Sequence, residues 1–256
     1  MKAILVILIT IVAVGLLGSC AINVKEENMG TQNYDLKGFN KVEVGGAFEV
    51  EIIKSDSFNI TVAADDLAHV RVEKTGDTLV IKRQGIEWFI PFHRQPKATI
   101  SLPVLTGLNI SGASHGKIEG FQSDTDLFVT LSGASHVEAQ NIAAGKLDIK
   151  VSGASTLSGE IKAKNDANIE ATGASKINLT GIGAKAVVVV SGASTAELSA
   201  FPIQSANLKV SGASNAFVNT NGRLDANISG ASNLLWSGSP VMGDIQTSGA
   251  STLRRK

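Results

Sequence analysis

Hydrophobic and polar residues alternate on both sides of a tetrapeptide that recurs from residue 111 onward. Leu108 and Ile110 flank a polar residue just before one copy, and Val137 and Ala139 follow the next copy with the same spacing of two. This period predicts β-strands, because successive side chains of a strand point to opposite faces. The tetrapeptide is Ser-Gly-Ala-Ser, or once Thr-Gly-Ala-Ser, and its copies begin at Ser111, Ser132, Ser152, Thr172, Ser191, Ser211, Ser229 and Ser248.

Successive copies begin 18 to 21 residues apart, a spacing typical of solenoid coils. A unit of this length cannot bury its own apolar face, whereas stacked units bury a continuous core and pair their backbones about 4.8 Å apart. The sequence therefore predicts an all-β fold, a parallel β-helix with coils of about 20 residues that turn at the tetrapeptide. A glycine there permits a positive φ. The predicted corner glycines are Gly112, Gly133, Gly153, Gly173, Gly192, Gly212, Gly230 and Gly249.

The N-terminal third carries one degenerate corner, Gly-Gly-Ala-Phe, at residues 45–48. The 66 residues from Gly45 to Ser111 would hold about three further coils that lack the motif. Residues 75–77, Thr-Gly-Asp, predict a turn between two alternating strands. Terminal repeats usually differ from the others because they cap the stack. We therefore expect residues 36–104 to form N-terminal capping coils and residues 105–256 to form the regular β-helix.

The first residues have the pattern of a lipoprotein signal peptide. A mostly apolar stretch of 14 residues follows Lys2 and is short for a membrane span. It ends in Leu-Gly-Ser-Cys, which resembles a lipobox. We expect residues 1–19 to be removed, Cys20 to be lipidated and residues 20–35 to form a flexible tether; an ordinary secretory signal with a chance cysteine is the alternative. The lipid anchor makes the membrane a partner and predicts a location in the cell envelope, in the outer membrane of a Gram-negative bacterium.

Composition and charge narrow the function classes further. Lys and Arg together number 23, as do Asp and Glu, so the formal net charge is zero and no basic stripe predicts a nucleic-acid partner. Cys20 is the only cysteine, which excludes an internal disulfide bond. Aromatic residues make up 5% of the chain, so small aliphatic and β-branched residues must fill the core.

The lipobox, the degenerate corner and the repeated SGAS corners together resemble the head GIN domain family of auto-transporter adhesins. The resemblance covers about residues 36–253. It implies a right-handed β-helix and a cell-envelope location. It implies no catalytic residues that could be assigned to positions of this chain.

Three patterns that carry chemistry in other proteins have simpler explanations here. Residues 112–116, Gly-Ala-Ser-His-Gly, match the nucleophile elbow of α/β-hydrolases, but that elbow requires a strand-to-helix turn, whereas Gly-Ala-Ser recurs in every coil. His115 and His136 occupy equivalent positions of successive coils, yet no third metal ligand is evident. Asp225 and Asp244 share an outward column, which a solvated polar face explains. We expect no catalytic residue, no metal site and no cofactor.

Two groups of apolar residues are candidate interaction surfaces. Trp88, Phe89 and Phe92 lie in a non-repeating stretch, which is alternatively a hydrophobic plug over the first coil. Phe217 and Leu235 are adjacent apolar members of an otherwise polar outward column, and a return loop could equally cover them.

The favoured function is a non-catalytic envelope lipoprotein whose β-helix surface binds a glycan or protein ligand at the cell surface. The alternatives are a β-helix enzyme that processes polysaccharides and a structural envelope protein without a ligand. Arg254, Arg255 and Lys256 follow the last corner at an open strand edge, where clustered cations oppose edge-to-edge pairing. We therefore expect a monomer when the lipid is absent.

Overall fold

The computed structural model describes residues 29–84 and 94–256, which form a β-solenoid of about seven turns with coils of about 20 residues. The predicted all-β fold and coil length are confirmed. One short 3₁₀ turn, Leu67–His69, interrupts the strands. Within the described ranges no helix is long and apolar enough to cross a membrane.

The strands are numbered in chain order. They are β1 (Gly30–Asn33), β2 (Lys41–Gly45), β3 (Glu49–Lys54), β4 (Asn59–Ala64), β5 (Val70–Thr75), β6 (Thr78–Arg83), β7 (Lys97–Leu102), β8 (Gly107–Ser111), β9 (His115–Glu119), β10 (Leu127–Leu131), β11 (His136–Ala144), β12 (Leu147–Val151), β13 (Thr156–Ala163), β14 (Asp166–Ala171), β15 (Lys176–Val190), β16 (Thr195–Val210), β17 (Asn215–Thr220), β18 (Arg223–Ile228), β19 (Asn233–Ser237), β20 (Val241–Thr247) and β21 (Thr252–Arg255).

Two parallel stacks of strands meet at the SGAS corners. The strands that lead into the corners form the entry face, in the spatial order β6, β2, β8, β10, β12, β14, the second halves of β15 and β16, β18 and β20. The strands that leave the corners form the exit face, in the order β7, β3, β9, β11, β13, the first halves of β15 and β16, β17, β19 and β21.

The core consists of inward columns in which each coil places an aliphatic side chain directly on the next. On the entry face one column is Leu108, Val129, Ile149, Ile169, Val188, Leu208 and Ala226, all of them buried. The exit face has the equivalent column Val137, Leu157, Ile177, Ala196, Ala216 and Leu234. The alternation in the sequence thus places the apolar residues inward, where their burial stabilises the stack.

The return from the exit face to the next entry face is also built from regular strand. β15 and β16 each run without a break from one corner to the next. Ile142 pairs with Ile161, and Ile161 with Gly181, so the returning segments also stack in parallel. These coils therefore have three strand segments, of which only two were evident from the alternation around the corners.

Each SGAS corner is held by hydrogen bonds to the corner below it. The amide of Ala154 donates to the carbonyl of Gly133 at 2.8 Å, and the equivalent bond recurs for Ala174, Ala193, Ala213 and Ala231. The last serine of every tetrapeptide except the final one points inward and is buried, so its hydroxyl needs partners. Ser135 Oγ donates to the Ser132 carbonyl at 2.8 Å, and the amide of Ser135 donates to Ser155 Oγ at 3.2 Å.

The N-terminal end departs from the three extra coils that we expected. β2 pairs with both β6 and β8, so the first coil of the chain lies between a later coil and the regular repeats. Residues 46–106 thus add one coil, made by β6 and β7, while β4 and β5 pair with it antiparallel. The hairpin of β5 and β6 turns at Gly76 and Asp77, as the Thr-Gly-Asp sequence predicts. Antiparallel strands suit this position because they end the parallel stack and cover its edge.

The predicted tether is shorter than residues 20–35. Gly30–Asn33 form β1, which pairs antiparallel with β4 and is exposed along its length. Its polar residues lack the alternation that marks a half-buried strand, so no pattern in the sequence predicts it. β1 forms because β4 offers a free edge of backbone donors and acceptors. Residues 1–28, including Cys20, lie outside the described residues.

We expect Gly153→Ala to destabilise the solenoid more than Gly38→Ala. Both glycines have a φ of 70°, so alanine at either position is strained by about 1–2 kcal/mol. A Cβ on Gly38 meets no atom within 4 Å, whereas a Cβ on Gly153 would lie 2.4 Å from the Gly133 carbonyl oxygen. The collision should add about 1–3 kcal/mol. Thermal unfolding followed by circular dichroism measures both, and equal midpoints would contradict the stacked-corner explanation.

Candidate functional site

Only some of the predicted interaction residues lie in the part of the chain that the structure describes. Trp88, Phe89 and Phe92 fall outside the described residues. Phe217 and Leu235 are neighbours in register on β17 and β19, and both are partly buried. The two groups therefore cannot be described as one surface.

The C-terminal residues cover the aromatic side chains near Phe217. The Lys256 ammonium lies 6.0 Å from the centre of the Phe217 ring, and the Arg255 guanidinium lies 5.3 Å from that of Trp236. Arg255 also donates to the Gly238 carbonyl at 3.0 Å. These are cation–π distances. The basic C-terminal residues, which the sequence predicts to oppose edge-to-edge pairing, thus contact Phe217 and Trp236. Strand β21 and the residue after it, rather than a return loop, cover these two rings.

The two histidines of the predicted outward pair are adjacent on the exit face. His115 and His136 are in register, and their ring centres are 6.3 Å apart. Gln95 Nε2 lies 3.4 Å from His115 Nδ1. Among the described residues no group of three His, Cys, Asp or Glu side chains could hold a metal ion.

The other two chemical patterns are tied into the structure of the solenoid. Ser114 is buried, donates to the Ser111 carbonyl at 2.8 Å and precedes a strand, so it is not an exposed nucleophile. Arg223 bonds Asp225 through Nε at 2.8 Å and lies 3.4 Å from Asp244. The hydrogen bond from Arg223, followed by that from the Asp244 amide, lowers the pKa of Asp225. A carboxyl group held ionised in this way is suited to stabilising the last turns and not to donating a proton.

Two apolar side chains on the regular coils of the entry face point outward and are about half exposed, while Val241 and Met242 are also exposed on the last entry strand, β20. Phe128 and Val187 are each 49% exposed. They belong to one outward column, which lies four residues before each corner and is otherwise polar or glycine. The column runs Gly107, Phe128, Asp148, Asn168, Val187, Asn207 and Asp225.

A groove one strand wide lies beside Phe128. Its floor is β8, where Gly107 lacks a side chain and Asn109 points outward. One wall consists of Lys41 and Glu43 of β2, and the other consists of Phe128 and Thr130 of β10. The groove has a volume of about 440 Å³. Because its walls are two strands apart, it is about 10 Å wide.

The charged groups that line this groove form ion pairs with residues outside it. Lys41 Nζ lies 3.0 Å from Asp77 Oδ2, and Glu43 Oε1 lies 2.6 Å from Lys82 Nζ. The hydrogen bond from Lys41 lowers the pKa of Asp77, so this pair stays ionised. The groove therefore presents an aromatic ring and polar side chains without an unbalanced charge.

A second, smaller depression surrounds Val187. Its volume is about 290 Å³, and it is flanked by Asn168 and Asn207 in the same column. Arg223 and Asp225, which also line it, bond to each other. The sequence carries a signal for both sites, since Phe128 and Val187 are apolar members of the outward column that also contains Asp225.

The stacked coils and their open outer faces define a β-solenoid. The chain belongs to the family described as "Putative auto-transporter adhesin, head GIN domain", whose model matches residues 38–240. The resemblance stated from the sequence is thereby confirmed. No curated protein matches the chain.

Solved structures of proteins from other bacteria of the genera Parabacteroides and Bacteroides are similar in fold. A putative adhesin from Parabacteroides merdae has a TM-score of 0.82 at 18% identity, covering 90% of this chain and 97% of that chain. A putative lipid binding protein from Parabacteroides distasonis has a TM-score of 0.77 at 18% identity, covering 90% and 98%. A putative adhesin from Bacteroides fragilis has a TM-score of 0.64 at 18% identity, again covering 90% and 98%. At this identity the likeness shows the fold alone.

Deleting Arg254–Lys256 should cause self-association of the soluble protein. The deletion removes the cations over Phe217 and Trp236 and part of the edge strand β21, so apolar side chains and backbone groups become available for pairing. Light scattering against protein concentration should show a rising mass for the deletion and a constant monomer mass for the intact chain.

A matched pair of variants distinguishes the effect of the positive charges from the effect of covering the apolar side chains. Changing Arg254, Arg255 and Lys256 to Gln should also promote association, because it removes the repulsion, whereas Arg254→Lys with Arg255→Lys should not. An intact protein that is already dimeric at the lowest concentration would contradict the prediction.

Proposed function

We propose that this protein is a lipid-anchored, non-catalytic protein of the cell envelope that binds partners at the cell surface through the outer faces of its β-helix. The family and two of the structural neighbours named above are described as "putative" adhesins, which supports a surface-interaction role. The lipobox-like Leu-Gly-Ser-Cys supports the anchor at Cys20. The favoured location remains the outer membrane of a Gram-negative bacterium.

One observation carries the binding role. Phe128 and Val187 are half exposed on an outward column of mostly acidic and amide side chains, although the core gains nothing from them there. Keeping an aromatic ring in water forgoes the free energy that its burial would release. A purely structural envelope protein has no need of such side chains on its outer face, whereas a binding surface uses them.

The polysaccharide-processing alternative is less well supported. Its natural candidates, Asp225 and Asp244, are engaged with Arg223. Ser114 is buried in the corner stack. Catalysis by carboxylates requires one group that is poised to donate a proton, and the pKa of Asp225 is shifted in the opposite direction. The binding function therefore accounts for more of the described surface than an enzymatic one.

Cys20→Ser should abolish lipidation and leave the precursor uncleaved. The thiol of Cys20 is the only one in the chain, so no other side chain can replace it. Incorporation of radiolabelled palmitate and the apparent mass of the protein measure the effect, with Ser19→Ala as a control that keeps the small residue before the cysteine. Normal palmitate incorporation by Cys20→Ser would overturn the anchor.

A surface role predicts that an added protease shaves the protein from intact cells. The exposed strand β1 at the N-terminal end would be cut first, because it carries no buried side chains to protect it. Immunoblotting before and after digestion measures the loss, with a periplasmic protein as the control for cell integrity. Full resistance in intact cells, with digestion after lysis, would place the protein inside the outer membrane and refute surface binding.

A further inference from the structure

We infer that the groove beside Phe128 binds a neutral sugar ring of a surface glycan, with the ring stacked on Phe128 and its hydroxyls bonded to Asn109 and Thr130. This assignment rests on the proposed binding function and specifies its ligand class and place. The Val187 depression is not part of it, which makes Val187 a matched control on the same column.

The lining supplies the two kinds of contact that a sugar ring requires. A pyranose ring has apolar C–H faces and an equatorial belt of hydroxyl groups. The half-exposed Phe128 ring offers an apolar platform at one wall of the groove. The Asn109 amide both donates and accepts hydrogen bonds, as does the Thr130 hydroxyl. Neither side chain has a hydrogen-bond partner among the described residues, so both are available.

The charge balance favours a neutral ligand. Lys41 is paired with Asp77, and Glu43 with Lys82. An anionic glycan or a nucleic acid would need unpaired cations, which release counterions on binding. Here a charged ligand would have to break an existing ion pair before it could form a new one.

The backbone of the groove argues against an extended peptide. Peptides that add to a sheet do so at a free edge, where main-chain donors and acceptors are unpaired. β8 forms the floor and is hydrogen-bonded on both sides, to β2 and to β10. Only side chains can therefore make contacts in the groove. Its polar floor at Asn109 is likewise unsuited to an acyl chain.

The shape of the groove depends on Gly107. A Cβ at this position would lie 2.9 Å from Lys41 Cγ, so even alanine would push the lysine stem aside. The missing side chain lets the Lys41 stem lie against β8, where it buries Gly107 and leaves Asn109 as the accessible part of the floor. Gly107 does not have a positive φ, so a larger side chain there would push the Lys41 stem into the groove without straining the backbone.

Isothermal titration calorimetry tests the assignment on a soluble form that begins at residue 20 and carries Cys20→Ser. The probes are the neutral hexasaccharides cellohexaose, maltohexaose, mannohexaose and chitohexaose, each at millimolar concentration, with a heparin hexasaccharide as the charged comparison. At least one neutral probe should bind with a stoichiometry of one. Phe128→Ala should weaken that binding about tenfold or more, because the stacking contact is lost.

Three further variants define the site. Asn109→Ala should weaken binding severalfold, Gly107→Leu should abolish it by filling the groove, and Val187→Ala should leave Kd within about twofold, since its depression lies three coils away. Circular dichroism of each variant checks that the fold is retained, and Phe128 and Val187 have the same exposed fraction.

Four outcomes would overturn the assignment. They are no binding of any neutral probe, binding of the heparin probe alone, equal loss of affinity in Phe128→Ala and Val187→Ala, and a dimer in light scattering that Phe128→Ala converts to a monomer. Each of these leaves the protease-shaving result untouched. Failure of the groove is therefore distinguishable from failure of the surface-binding function itself.

Discussion

The hydrogen-bond ladder that continues through the SGAS corners fixes the register of the whole solenoid. In each bond the amide of a corner alanine donates to the glycine carbonyl one coil away, as Ala154 does to Gly133 at 2.8 Å. The corners stack so closely that a Cβ on Gly153 would lie 2.4 Å from that carbonyl oxygen. Since each corner is locked to the next, the strands on both sides follow in phase, and inward residues such as Ile149 and Ile169 meet their equivalents. A shift of one residue would turn the whole apolar column outward.

The two ends of the stack solve the problem of free strand edges differently. At the N-terminal end β1, β4 and β5 run antiparallel and cover the parallel strands. At the C-terminal end Trp236 and Leu253 are only partly buried, and Arg255 and Lys256 lie against aromatic rings. A cation above an aromatic ring covers apolar surface while its charge stays in water. The same residues can therefore hide the last apolar side chains and repel a second copy of the chain.

The regular coils could be predicted from the sequence because their signals are local and repeated. Alternation around each corner identified the inward columns, and Val188 and Leu208 lie where that pattern puts them. The N-terminal topology could not be predicted, since the choice of β2 as a partner for both β6 and β8 depends on contacts between distant segments. Strand β1 could not be predicted either, because an exposed edge strand needs no apolar face. Predicting the groove would require knowing that Lys41, Gly107 and Phe128 lie side by side, which only the register of three separate coils determines.

A solenoid separates residues that hold the fold from residues that are free to serve a function. Inward columns and corner residues are constrained by packing and by the hydrogen-bond ladder, whereas an outward side chain affects little beyond its immediate neighbours. An apolar outward residue therefore needs its own explanation. For Phe217 the explanation is intramolecular, because Lys256 lies over its ring. Phe128 has no ring or cation contact among the described residues, and it borders a groove whose floor lacks a side chain at Gly107. The difference between these two phenylalanines, one covered and one open, is why we propose a binding surface on the entry face.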